Sequence, residues 1–132
     1  MDERTIIDKL NNKDLTIIEN KIKELSKSTF RTSFHLNKKE IEYIKKNGLN
    51  KVEQHAYEFI KKNLAPSNIP NDGKQTPTHN HPVFPARHAT ATCCRGCLEK
   101  WHHIKKGKEL TDNEIKYIIS IIMYWIVKEV NK

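Results

Sequence analysis

Apolar positions recur with a helical period along most of this chain. Ile6, Ile7 and Leu10 predict a short first helix. Leu15, Ile18, Ile22 and Leu25 fall at i, i+3, i+7 and i+10, an amphipathic helix after Asp14. Asn37 and Glu40 have the spacing of a capping box, which opens a helix carrying Ile41 and Ile44 and stopping at Gly48. Asn50 and Glu53 repeat that device ahead of the stripe Val52, Ala56, Phe59, Ile60, Leu64. Thr111 and Glu114 form a third box before Ile115, Ile118, Ile119, Ile122, Trp125 and Ile126. Ile121, Met123 and Val127 widen that last stripe until the helix is apolar nearly all round. Such a helix is either a buried central element or, across residues 115–127, an interface for a homo-oligomer. No strand pattern, repeat period or glycine-rich phosphate loop interrupts the series. The expected fold is all-α, a small helical domain.

The 132 residues suit one domain. All five prolines lie between Pro66 and Pro85 and divide the chain into a helical scaffold (1–64), a Pro/His-rich loop (65–92) and a Cys-rich helix with the buried C-terminal helix (93–132). The net charge of +8 favours polyanionic partners, nucleic acid above all. An odd count of three cysteines and a polar N-terminal stretch argue against a secreted disulfide framework, so the expected compartment is a reducing cytoplasm. The apolar run from Tyr117 to Val127 is too short for a membrane span.

Chemistry concentrates between His79 and His103, where five of the seven histidines and all three cysteines lie. Thiolate and imidazole are the donors zinc and iron require, typically four to an ion. A bound ion would also give the Pro-rich loop a reason to be ordered, because metal-binding free energy becomes folding free energy. With Thr92 as a helix cap, Cys93, Cys97 and Cys94 fall at roughly 0°, 40° and 100° around the axis, all on one face. The fourth donor then comes from upstream, His88 first and His81 next. If Cys94-Arg95-Gly96-Cys97 is instead a knuckle turn, His102 also comes within reach. Zinc is the expected metal and iron the alternative.

Other chemistries fit less well. A Cys-x-x-Cys redox pair lacks the strand–helix alternation of thioredoxin-like folds. A zinc deaminase needs a His-x-Glu that is missing here. A metal- or cysteine-dependent enzyme stays open as the alternative, using a metal such as iron or a reactive cysteine, with Cys93 or Cys94 as open-site ligand or nucleophile, His88 or His102 as acid/base, and Asp72, Arg87 and Arg95 positioning an anionic substrate. Lys100, Lys105, Lys106 and Lys108 surround Trp101, an arrangement able to contact phosphate and stack a base, although a buried tryptophan under a solvated lysine face is the plainer reading.

The run Pro70-Asn71-Asp72-Gly73-Lys74-Gln75-Thr76-Pro77 and the motif H-A-T-A-T-C-C-R-G-C-L-E-K-W-H from His88 to His102 resemble a small family of uncharacterised bacterial and phage proteins, a domain of unknown function. The likeness runs from about Phe30 to Trp125. It implies ligand roles for His81, His88 and His102 with Cys93, Cys94 and Cys97, and it leaves out His79 and His103. It also marks Asp72, Lys74, Gln75, Arg87 and Arg95 as motif members. It implies no activity.

Overall fold

A computed structural model describes residues 5–69 and 76–132, and Asp72, Lys74 and Gln75 lie outside that range. Among the described residues there are seven α-helices, one 3₁₀ turn and no strand. The 3₁₀ turn (Ile6–Lys9) is followed by α1 (Asn12–Leu25), α2 (Thr29–Thr32), α3 (Lys38–Asn47), α4 (Leu49–Asn63), α5 (Val83–Ala89), α6 (Arg95–His102) and α7 (Asp112–Val130). The expected all-α architecture is the observed one.

Helix α7 is the axis of the molecule. Ile118, Ile119, Ile121, Ile122, Met123 and Ile126 are all fully buried, each contributing roughly 1.5–3 kcal/mol through removal from water. The 3₁₀ turn, α1, α4 and α5 pack around it. Most of its apolar surface is therefore used within the chain, with Trp125 and Val127 staying partly exposed. The capping boxes at Asn37 and Thr111 form as their spacing predicts, each with reciprocal hydrogen bonds.

Three local expectations are corrected. Asn50 and Glu53 do not cap a helix: Gly48, at φ 85°, lets α4 begin at Leu49 directly after α3. The Glu53 carboxylate instead accepts from the Ile6 amide at 2.6 Å, tying the N-terminal turn to α4. Helix α1 begins ahead of Asp14, with Asn11 as its cap. Within the Pro-rich span, Val83–Ala89 is helical. Pro82 occupies the cap and Pro85 the first turn of α5, where a missing N–H removes no intrahelical bond.

Helix α5 ends in a Schellman turn whose left-handed residue is Ala91 (φ 59°) rather than glycine. The Thr92 amide donates to Arg87 O at 2.8 Å and the Ala91 amide to His88 O at 3.4 Å. The Ala91 methyl is wholly buried with Ile18, Leu25 and Ile121, and that packing compensates the strain of a β-carbon in this backbone region. The turn aims the next residues, Cys93 and Cys94, at the start of α6.

Candidate metal centre

Cys94 has an extended backbone and is itself the N-cap of α6, its sulfur accepting from the Cys97 amide at 3.3 Å. Helix α6 thus starts at Arg95, two residues later than a Thr92 cap would place it. Cys97 sits one turn along, and Cys93 sits just ahead of the cap. The three sulfurs all lie within 4.8 Å of one another. Cys93 donates to Cys97 at 3.6 Å. Zinc–sulfur bonds of about 2.3 Å in a tetrahedron place sulfurs about 3.8 Å apart, so the spacing already suits one ion.

The turn that carries them is fastened by arginines. Arg87, almost completely buried, donates Nε to Thr92 O at 3.1 Å and Nη2 to Cys93 O at 3.3 Å. Thr76 Oγ1 adds a bond to the same Cys93 carbonyl. Arg95 reaches away from the sulfurs and joins two loops, donating to Leu64 O, Pro66 O, Lys105 O and Lys108 O at 2.9–3.1 Å. These contacts engage the two arginines that the enzyme reading assigns to substrate.

The residue that sequence reasoning missed is Arg31 on α2. Its guanidinium donates Nη2 to Cys97 Sγ at 3.1 Å and Nη1 to Cys93 Sγ at 3.7 Å, with a further bond from Nη1 to His88 O at 2.7 Å. Arg31 is buried. Among the described residues no carboxylate pairs with it, and a buried cation needs an anion beside it. The group beside it that can carry the charge is the Cys97 sulfur. Donation from Cys93 and Cys94, reinforced by Arg31, holds the Cys97 thiol far below the ordinary thiol range. Donation to Cys94 and Cys97 together with burial pushes Cys93 up. One signal did mark Arg31: in a chain with twenty lysines and four arginines, an arginine is the exceptional choice.

The three histidines assigned as ligands are placed apart from this group. His81 Nδ1 accepts from the Val83 amide at 3.1 Å, so its proton is on Nε2, which meets His55 Nδ1 at 2.9 Å. Tyr43 Oη approaches the same His55 nitrogen at 3.0 Å, and Phe59 and Phe84 enclose His81. Burial, with His55 adjacent, lowers His81 to about 4. His55 is thus a member of this aromatic cluster. His102 is committed in the same way. Its Nε2 donates to Thr90 O at 2.7 Å and its Nδ1 meets Tyr117 Oη at 2.6 Å, with burial lowering it to about 4.

His88 differs from both. Its ring stacks on Phe34, and Nε2 donates to Thr76 O and Pro77 O at 3.3 and 3.1 Å. That leaves the Nδ1 lone pair uncommitted among the described residues. His79 is held on the buried Glu40 carboxylate at 3.1 Å and His35 on Glu129 at 3.2 Å. His103 is exposed and closes α6 in the left-handed conformation.

Trp101 is half-buried, packed in the cluster around Ile18 and Ile121, with the Arg31 guanidinium 6.0 Å from its ring centroid. It is a packing residue, and Phe30, 58% exposed, is the accessible aromatic beside the site. Among the described residues no helix is long and apolar enough to cross a membrane.

An all-helical domain with a three-cysteine cluster able to hold a metal ion is the class that fold and site define. Residues 19–127 match the family described as Domain of unknown function (DUF4186), and the protein belongs to that family. No solved structure matches the chain.

Proposed function

We propose that the protein binds one thiophilic divalent metal ion, zinc foremost, through Cys93, Cys94 and Cys97. The observation that carries this reading is the convergence of three sulfurs within 4.8 Å beside a buried guanidinium. Three thiolates and a divalent ion sum to one negative charge, which Arg31 balances. The ion would take the place of the protons that the sulfurs now share, so uptake releases protons and is favoured by rising pH. For the fourth position we favour His88, whose ring would have to turn toward the sulfurs: its Nδ1 is the one uncommitted ring nitrogen among the three histidines assigned as ligands, and its carbonyl shares Arg31 with them. Iron is the alternative occupant, since the donor set suits both. Thiols kept reduced and metal-bound accord with a cytoplasmic location.

Anaerobically purified protein, analysed for metal content by mass spectrometry, tests this directly. One zinc per chain, lost in Cys97→Ser, is the expected result. Protein that takes up no zinc or iron while all three thiols react freely with a disulfide reagent would refute it.

As partner we infer nucleic acid, supported by the +8 charge and by the exposed Phe30 beside the site. Salt-sensitive binding to single-stranded DNA or RNA that falls on chelation is expected. Binding indifferent to salt and to chelation removes the link. The enzyme reading draws less support, because His102, Arg87 and Arg95 are engaged in holding the fold.

A further inference from the structure

The three sulfurs of the candidate metal centre are not equivalent. Cys93 Sγ and Cys97 Sγ lie 3.6 Å apart, and the Arg31 guanidinium donates to both, at 3.7 and 3.1 Å. Cys94 Sγ is the N-cap of α6 and accepts from the Cys97 amide at 3.3 Å. Sulfurs in contact need only a shift of their side chains to reach the bonded separation of about 2 Å. The pair poised for this is Cys93 with Cys97, not the Cys94–Cys97 pair that a Cys-x-x-Cys spacing would suggest.

Exposure divides the labour between the two. Cys97 is half-buried, so a small molecule can reach it, whereas Cys93 is only 7% exposed. Arg87 and Thr76 both bond the Cys93 carbonyl, which fixes that residue beside its partner. A sulfur open to an outside reagent, backed by one that is shielded from it, is the arrangement of an attacking thiol and its resolving partner.

From this contact and the unequal access, we propose that Cys97 and Cys93 form a hydroperoxide-reducing dithiol. Cys97 Sγ attacks the terminal oxygen of a hydroperoxide R–O–OH, with R hydrogen or alkyl. The O–O bond breaks, RO leaves with the Cys97 proton as ROH, and Cys97 becomes a sulfenic acid. Cys93 Sγ then attacks Cys97 Sγ. The S–O bond breaks, and hydroxide leaves with the Cys93 proton as water. The two thiols lose two electrons and two protons in all, and the hydroperoxide becomes ROH and water. A low-molecular-weight thiol restores the pair by exchange. The proposal shares its sulfurs with the metal reading but does not rest on it. The link consumes two of the three donors, so a bound ion is expelled, and a chain that holds no ion forms the same link.

The test uses the full chain purified without air, as it stands and after chelator treatment, each portion given one equivalent of hydrogen peroxide. Remaining thiols are alkylated before digestion with trypsin, which cuts after Arg87, Arg95 and Lys100 and so places Cys93 and Cys94 in one peptide and Cys97 in the next. In both portions the two peptides are expected to be joined, with the alkyl group on Cys94 and the link on Cys93 by tandem mass spectrometry. Reaction should be roughly tenfold or more faster than that of free cysteine, and dithiothreitol should reverse it. Cys93→Ser should lose the link and carry Cys97 on to sulfinic acid. A bond from Cys97 to Cys94, between Cys93 and Cys94 or between two chains, or thiols no faster than free cysteine, would overturn the proposal. Metal content before oxidation decides the metal reading separately, so the two can fail independently.

Discussion

Two clusters of metal-capable side chains sit at the two ends of α5, and they behave oppositely. At the N-terminal end His81 and Tyr43 each lie within hydrogen-bond distance of His55 Nδ1. At the C-terminal end the sulfurs of Cys93, Cys94 and Cys97 all lie within 4.8 Å of one another. In sequence, His81 belongs to the same dense run of potential ligands as the three cysteines. The difference is in what each donor atom already does. His81 has one nitrogen on a backbone amide and the other on its neighbouring ring, so it has no lone pair to offer without breaking the cap of α5. The sulfurs meet one another, the Cys97 amide and the Arg31 guanidinium, and these contacts leave sulfur lone pairs for an ion. A metal site is defined by uncommitted donors, not by the number of donor residues.

That contrast predicts that the histidines govern stability and the thiols govern ligand binding. The largest effect should come from acid. His81 and His102 are held neutral in the fold with values near 4, below the ordinary 6.5 that they regain on unfolding. Their contribution is complete above pH 6.5 and is lost as pH falls through about 4, because only the unfolded chain takes up the protons. Each should cost on the order of 3 kcal/mol across that window. Urea unfolding at pH 7 and pH 4.5 measures it, and a flat profile would break the contrast.

Next in size is Cys97→Ser, which should reduce zinc affinity roughly a hundredfold or more in chelator competition, while His81→Gln leaves it within about twofold. An equal loss in both variants would show that the histidine cluster belongs to the site after all. Arg31→Leu removes the cation beside the sulfurs. It should weaken metal binding by roughly 10- to 100-fold, the usual range for groups that orient and charge-balance ligands. The same variant should bring the thiol reactivity of Cys97 back toward that of an ordinary cysteine. The smallest effect belongs to Ala91→Gly, where relief of about 1 kcal/mol of left-handed strain is offset by loss of a buried methyl of similar worth. Thermal unfolding should shift by only a few degrees in either direction.

Much of the fold was readable in the chain because its cues are local. The boxes at Asn37 and Thr111, the stop at Gly48 and the broad apolar stripe of α7 each depend on residues a few positions apart. The false box at Asn50 shows the limit, since Glu53 found its partner 47 positions away at Ile6. The three cysteines were legible as a set for the same local reason. Which histidine retains a free nitrogen was not, because Val83, Tyr117 and the carbonyls of Thr76 and Thr90 become neighbours only in the folded state. Arg31 was invisible as a site residue, 62 positions before Cys93, with only the rarity of arginine to mark it.

The anchoring of the cysteine turn by Arg87 through carbonyl bonds has a consequence for traffic of the ion. A chain that must fold around its metal diverts much of the binding free energy into ordering itself, and it collapses when the metal leaves. Here Arg87 and Thr76 grip the Cys93 carbonyl, and Arg95 grips the flanking loops, through bonds in which no sulfur takes part. Loading and unloading therefore leave the scaffold standing, and after chelation the far-ultraviolet circular dichroism should keep its helical amplitude. On the proposed metal reading, such a protein would hand its cargo on and accept another, more like a reusable vessel than a rivet.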